Sequence, residues 1–161
     1  MIIISHRGNT DGPSPKDENT KKSIKKCLDL GYDVEIDVWF EKNKFYLGHD
    51  EPTESITPEF LNNDKLWIHL KNIKSVQLIN EIKPKNFFWH ENDTLTLTSS
   101  NKIWLYPKIY INSKDAIFVL PEQDEIKFKC FNYKCFGICT DFVYLFDKKY
   151  KDKGKKHNQT K

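Results

Sequence analysis

The stretch that decides the fold is Tyr32–Phe40, with the sequence YDVEIDVWF. Its acidic side chains recur at every second position, and valine or isoleucine fills the positions between them. Side chains on a β-strand alternate between the two faces of a sheet, so Asp33, Glu35 and Asp37 share one face. The stretch therefore predicts a strand with one apolar face and one row of carboxylates.

Short apolar strands and amphipathic helices alternate on both sides of this stretch. Ile2–Ser5 is a β-branched apolar run typical of a buried strand. Residues 20–30 predict a helix that Asn19 or Thr20 caps, and a second helix is predicted from Lys71-Asn72 to Ile82. The other predicted strands are Lys44–Leu47, Leu66–Leu70, Phe87–Trp89, Ile103–Tyr106, Ile117–Leu120 and Phe136–Cys139. This alternation indicates an α/β fold with a parallel sheet.

The second half of the chain predicts few helices. Between residues 90 and 136 no amphipathic helix is found, so plain loops are expected there. From about residue 147 the chain is Lys-rich with little to bury, which predicts a basic, disordered tail over 147–161. We therefore expect a single domain over residues 1–146 followed by that tail.

Composition excludes several functional classes. The chain has 161 residues, 38% of them hydrophobic, and a net charge of +3, which is too weak by itself to argue for a polyanion partner. The first apolar run is too short for a signal peptide, and no stretch is long enough for a membrane span. We expect a cytoplasmic protein whose four cysteines stay reduced, as buried thiols rather than zinc ligands. The sequence carries no indication of the oligomeric state.

Polar side chains that suit chemistry lie where the predicted strands end. Glu35 and Asp37 could converge on one hard cation such as Mg²⁺ or Ca²⁺, or could simply face water. His69 and Lys71 share one face of a later strand, where the lysine could neutralise a phosphate oxygen and the imidazole could bind the cation. The alternative for that strand is a solvent-facing lysine and a structural histidine.

Two further strand ends carry histidine. His6 could serve as a general acid or base, and the planar guanidinium of Arg7 suits a phosphate group. His49 follows a short strand, and the neighbouring Asp50 could orient its imidazole. Two histidines that each end a strand favour a functional role for both.

The order of these motifs resembles that of the glycerophosphodiester phosphodiesterase family. The four motifs are His6-Arg7-Gly8, Glu18-Asn19-Thr20, Glu35-Ile36-Asp37 and His49-Asp50. The resemblance is strong over residues 4–50 and weaker afterwards, where residues 136–141 look like the family's last strand and Ile103-Trp104 echoes a late tryptophan strand.

The resemblance implies a TIM-type (β/α) barrel and a divalent cation. Carried over to this chain, Glu35 and Asp37 bind the cation, while His6 and His49 are the acid–base pair. Arg7 would hold the phosphate and Glu18 would organise the site by hydrogen bonding.

Two departures from the family pattern modify these expectations. The family offers Glu-x-Lys on the third strand, whereas this chain has His69-Leu70-Lys71. One carboxylate fewer weakens Mg²⁺ or Ca²⁺ binding and favours Mn²⁺ or Zn²⁺ somewhat. TIM barrels also run near 250 residues, so a small, reduced barrel is expected here. About sixteen residues separate Asp50 from Trp67, which leaves no room for the insertion that covers the substrate's alcohol portion in the family.

We therefore expect a metal-dependent phosphodiester hydrolase that acts on a small phosphodiester, with His6 favoured as base and His49 as acid. The alternative is a catalytically inactive phosphate-binding module on the same fold, which the imidazole of His69 and the short chain suggest. Nucleic-acid binding through the Lys-rich tail is a third reading, but the aromatic residues lie in strands rather than between the lysines.

Overall fold

Seven parallel strands follow one another around a curled sheet in the order in which they occur in the chain. The computed structural model describes residues 1–126 and 128–158. The parallel strands are β1 (Ile2–His6), β2 (Asp33–Glu41), β5 (Leu66–Leu70), β6 (Asn86–Phe88), β8 (Ile103–Leu105), β9 (Ala116–Val119) and β10 (Gly137–Thr140). Across the sheet they are ordered β6-β5-β2-β1-β10-β9-β8.

Three shorter strands extend this sheet in the antiparallel sense. β3 (Lys44–Leu47) pairs with the end of β2, β4 (Glu54–Ile56) pairs with β3, and β7 (Leu95–Leu97) pairs with β8. The chain just after β7 also reaches β6, because the Ser99 amide donates to the carbonyl of Phe87 at 2.8 Å. The segment 95–99 therefore connects the two ends of the curled sheet, which is a partial barrel.

Three helices cover the outside of the sheet. They are α1 (Lys21–Asp29), α2 (Ile73–Ile82) and α3 (Val143–Asn158). α1 begins after Thr20, whose hydroxyl accepts a hydrogen bond from the Ser23 amide at 3.2 Å, and α2 begins after Asn72 in the same way. Among the described residues between 90 and 136 the helical elements are two 3₁₀ turns, Pro121–Gln123 and Lys129–Asn132. The fold is mixed α/β, with few helices in its second half as predicted.

The core has an inner and an outer part. Side chains from six strands meet inside the curl, among them Ile4, Trp67, Phe88, Trp104 and Ile117. The outer part lies between the sheet and its helices, with α1 and α2 packed on β2 and β5 and with α3 packed on β1 and β10. Apolar side chains fill the inside of the curled sheet. The polar site therefore lies at one end of the strands.

The predicted strands are present, with every end within one residue of its predicted position, but two strands were missed. β4 and β7 are short, and their mixed polar sequences give no alternating apolar pattern. All four cysteines are free thiols, and Cys27, Cys130 and Cys139 are buried.

The basic tail expected to be disordered from residue 147 continues α3 to Asn158 instead. Three contacts account for this correction: the Tyr32 hydroxyl donates to Asp147 at 2.9 Å, the Tyr150 ring stacks on Phe131, and Lys151 pairs with Asp147 one turn away. Residues 159–161 lie outside the described part of the chain. Within the described residues, no helix combines the length and the apolar character that a membrane crossing requires.

Candidate active site

The carboxyl ends of the parallel strands surround a cavity of about 450 Å³. Of the residues predicted from sequence, all but Glu18 and Asp50 line it. β1 ends at His6, β2 carries Glu35 and Asp37, and β5 carries His69. Parallel pairing brings these strand ends to one edge, which explains how residues far apart in sequence meet.

Three side chains form a possible cation site at the base of this cavity. One ligand atom each from Glu35, Asp37 and His69 lie within 4.8 Å of one another. Asp37 and His69 are direct partners in the β2–β5 register, and the Nδ1 of His69 is 3.0 Å from Asp37 Oδ1. Two buried carboxylates and one imidazole are a donor set that a divalent cation accepts, so the residues fit such an ion.

Asp37 is surrounded by positive and hydrogen-bonding groups. Its Oδ1 lies 3.4 Å from the Lys71 ammonium, and its Oδ2 lies 3.1 Å from Arg7 Nε and 2.9 Å from the Asn19 amide nitrogen. Burial alone would raise the pKa of Asp37, but the hydrogen bond from His69 and the charges of His69, Arg7 and Lys71 lower it. Asp37 is therefore ionised although it is 1% exposed.

Glu35 is in a less favourable position for a charge. Burial and the neighbouring charge of Asp37 raise its pKa, and His6 and Arg7 only partly oppose this. Its Oε2 lies 3.9 Å from His6 Nε2 and accepts a hydrogen bond from the Arg7 amide at 3.3 Å. Two carboxylates with opposed pKa shifts at one site are typical of functional clusters.

His6 is held by a buried carboxylate that was not assigned to the site from sequence. Asp141 Oδ1 lies 2.8 Å from His6 Nδ1, and the Asn9 amide donates to the same oxygen at 2.9 Å. Glu122 in turn accepts a hydrogen bond from the Asp141 amide at 2.8 Å. Burial lowers the pKa of His6, but the Asp141 hydrogen bond and the charge of Glu35 outweigh it, and the pKa is raised. With Nδ1 held by Asp141, Nε2 is directed toward Glu35.

His49 reaches the same cavity from a more exposed loop. Its Nδ1 lies 2.7 Å from Asp50, whose side chain is 92% exposed. Burial and the charges of Arg7 and Lys71 lower the pKa of His49, against the opposing charge of Asp37. The loop turns at Gly48, where φ is +143° and a Cβ would lie 2.0 Å from the carbonyl oxygen of Glu51. Glycine is therefore required at position 48.

Arg7 connects the carboxylates of the first half of the chain. Its Nη1 lies 3.2 Å from Glu18, and its backbone has a left-handed φ of 53°. Glu18 also accepts from the Asn9 amide at 3.2 Å, so it orients Arg7 and Asn9 together, although it does not line the cavity. The organising role of Glu18 stays a prediction.

His90 is a second residue that sequence reasoning did not assign to the site. It follows β6, lines the cavity, and stacks on His69 with ring centroids 4.6 Å apart. His90 and Asp141 each lie within two residues of the end of a parallel strand, and this position is the signal by which both could have been found. No family model matches the chain, and no curated protein or solved structure is significantly similar to it. The chemistry of the site is therefore inferred from these contacts.

Proposed function

We propose that this chain is a metal-dependent phosphodiester hydrolase with chemistry similar to that of the glycerophosphodiester phosphodiesterases. One observation carries the proposal: a possible cation site, two cationic side chains and two imidazoles line a single cavity. A phosphodiester needs this combination, because its oxygens are negative, its nucleophile must lose a proton, and its departing alcohol must gain one.

Each charged residue has a role in this proposal. Glu35, Asp37 and His69 would hold the divalent cation, which when bound neutralises developing charge on the phosphoryl oxygens. Arg7 and Lys71, each within 3.4 Å of Asp37, would bind the same phosphoryl oxygens from the side of the cation site. The guanidinium suits two oxygens at once, whereas the ammonium acts as a point charge.

The two imidazoles transfer protons on opposite sides of the phosphorus atom. A new P–O bond forms to water or to a neighbouring substrate hydroxyl, and the P–O bond to the alcohol breaks. One histidine accepts the nucleophile's proton and the other donates a proton to the departing oxygen. Each variant, His6→Ala and His49→Ala, is expected to remove one limb of a bell-shaped pH–rate profile, and the limb that disappears assigns base and acid.

We further propose that the partial barrel is a reduced TIM-type barrel. Parallel strands in chain order, with polar side chains at their carboxyl ends, support this interpretation. The short connections of the second half account for the small size of the chain.

The test is a screen of phosphodiesters with Mg²⁺, Ca²⁺, Mn²⁺ and Zn²⁺. Hydrolysis is expected with at least one metal and is expected to stop with chelator. Mutation of residues that only support a metal ligand costs 10–100-fold, so Glu35→Gln is expected to cost at least about 100-fold. Glu81→Gln, on the exposed side of α2, is the matched control and is expected to retain full activity.

A phosphate-binding module without turnover is the second candidate. The neutralisation of Asp37 by Arg7, His69 and Lys71 favours it, because these contacts balance the charge within the site. Calorimetry that detects phosphodiester binding with every metal, together with no hydrolysis in the screen, would establish this candidate and reject the hydrolase.

A further inference from the structure

A group of stacked rings reaches from the inner core to the cavity. Trp104 stacks on Phe88 at 4.5 Å between ring centroids, and Phe88 stacks on His69 at 5.0 Å. His69 also stacks on His90 at 4.6 Å with only 5° between the ring planes. Because Phe88 and His90 are themselves 5.9 Å apart, these two rings lie side by side against the proposed cation ligand His69.

His90 is the ring of this group that the proposed ligand would contact. It is half-buried and lines the cavity, and among the described residues its ring stacks only on His69 and Phe88. A flat ring of a ligand would stack on the part of the His90 ring that faces the cavity.

The residues beside His90 around the cavity are also aromatic or polar. Tyr106 lines the cavity with 53% of its surface exposed, and Trp89 lines the same cavity. Glu91 and Gln123 add a carboxylate and an amide to the opening. These residues lie on the segments that follow β6, β8 and β9, at the same end of the strands as the cation site, where the alcohol portion of a bound phosphodiester could extend.

We propose that this wall, formed by Trp89, His90 and Tyr106, is a subsite for a nucleobase, and that the substrate is a nucleoside phosphodiester. The inference rests on the proposed hydrolase function, which it deepens by naming the alcohol. A nucleobase has a π face that stacks on His90 and edge atoms for Glu91 and Gln123, whereas an acyclic alcohol offers no ring. The cavity of about 450 Å³ lies within the range of small-molecule sites.

The first test measures binding in the presence of Mn²⁺ by calorimetry. The probes are adenosine 5′-monophosphate, glycerol 3-phosphate and inorganic phosphate. Base–aromatic contacts predict that the nucleotide binds at least about fivefold more tightly than glycerol 3-phosphate. Tyr106→Ala is expected to remove this preference without weakening phosphate binding. Tyr144→Ala, which changes another exposed tyrosine, on α3, is the control and is expected to retain it.

The second test separates ring stacking from support of His69. His90→Phe keeps a flat ring beside His69 and is expected to keep the nucleotide preference, whereas His90→Ala is expected to lose it. Equal affinity of the parent protein for the nucleotide and glycerol 3-phosphate would overturn the subsite, even if phosphodiesters are hydrolysed. Preferential nucleotide binding that Tyr106→Ala abolishes, with no hydrolysis of any diester, would retain the subsite and reject only the hydrolase.

Discussion

His6 and His49, the proposed acid–base pair, differ mainly in the burial of their carboxylate partners. Asp141, beside His6, is 7% exposed; its carboxylate accepts a hydrogen bond from Asn9, and its backbone amide donates to Glu122. Asp50, beside His49, is almost fully exposed and lies on the same loop as its partner. A hydrogen-bonded pair shielded from water is stronger than an exposed pair, which solvent and salt screen.

This difference predicts unequal effects of two matched substitutions. Asp141→Asn is expected to lower kcat by about 100-fold or more, because His6 loses the acceptor that fixes its tautomer and orientation. Asp50→Asn is expected to change kcat less than about threefold, in line with the small free energy of exposed pairs. Steady-state kinetics on both variants check this, and equal losses would show that burial does not distinguish the two partners.

The ionised state of Asp37 predicts a pH dependence of stability. The pKa of Asp37 is lowered in the folded chain, so its charge stabilises the fold above the ordinary carboxyl pKa near 4 and this stabilisation is lost as the pH falls below that value. Asp37→Asn is expected to destabilise the fold at pH 7 by about 3 kcal/mol, because Arg7 and Lys71 lose a buried partner. Relief of the like charge beside Glu35 offsets part of that loss.

Thermal melting between pH 3 and pH 7 measures the effect. A loss of about 3 kcal/mol corresponds to a decrease in Tm of about 6–12 °C for a chain of this size. The decline in Tm below pH 4 is expected to be shallower in the variant than in the parent protein. Asp29→Asn, which breaks an exposed pair with Lys25, is the control, and a parallel decline for Asp37→Asn would contradict the prediction.

At the scale of secondary structure, the central strands could be predicted because their sequence carries the burial pattern directly. β2 alternates acidic and apolar residues, and β1 and β5 are short apolar runs. α3 could not be predicted in this way, because lysine dominates its sequence and its docking depends on contacts with residues far along the chain. The partner of Asp147, for example, is Tyr32.

The docking of α3 gives a prediction at the same scale. Asp147→Asn is expected to destabilise the fold by about 1–2 kcal/mol, because the Tyr32 hydroxyl loses a charged acceptor. Burial and the hydrogen bond to Asp147 raise the pKa of Tyr32 to about 12. This raised pKa means that the neutral phenol favours the fold below pH 10, an advantage lost as the pH rises toward 12.

Two measurements check this prediction. Asp147→Asn is expected to lower Tm by about 4 °C at pH 7, and the ultraviolet titration is expected to show Tyr32 ionising at a lower pH. Asp152→Asn, an exposed position on the same helix, is the control and is expected to change neither. If residues from 147 onward were disordered, the two substitutions would behave alike.

At the scale of the whole molecule, the two halves of the chain supply different parts of the cavity. The first half supplies charge through β1, β2 and β5, and the sequence motifs identify most of these residues. The second half supplies the aromatic wall and Asp141, which contacts His6, and these residues lie outside the four motifs of the first half. Their positions depend on how far the sheet curls, so sequence alone could not place Asp141 beside His6 or His90 beside His69.

The proposed cation ligands come from two neighbouring strands, because Glu35 and Asp37 lie on β2 and His69 lies on β5. A cation that binds the folded chain only is expected to stabilise it by about 2.7 kcal/mol at 100 times its Kd. With an imidazole among the ligands, Mn²⁺ and Zn²⁺ are expected to raise Tm at lower concentrations than Mg²⁺ or Ca²⁺.

Two variants test which residue determines this order of metal preference. His69→Glu adds a hard anionic ligand beside Asp37 and is expected to shift the preference toward Mg²⁺ and Ca²⁺. His49→Ala removes an imidazole that lines the cavity but lies outside the proposed ligand set, so it is expected to keep the parent order. The measurement is Tm against metal concentration for the parent protein and both variants. If no metal raises the Tm of the parent protein, the proposed cation site is rejected. If the His69→Glu variant keeps the parent protein's order of metal preference, His69 is not one of the ligands.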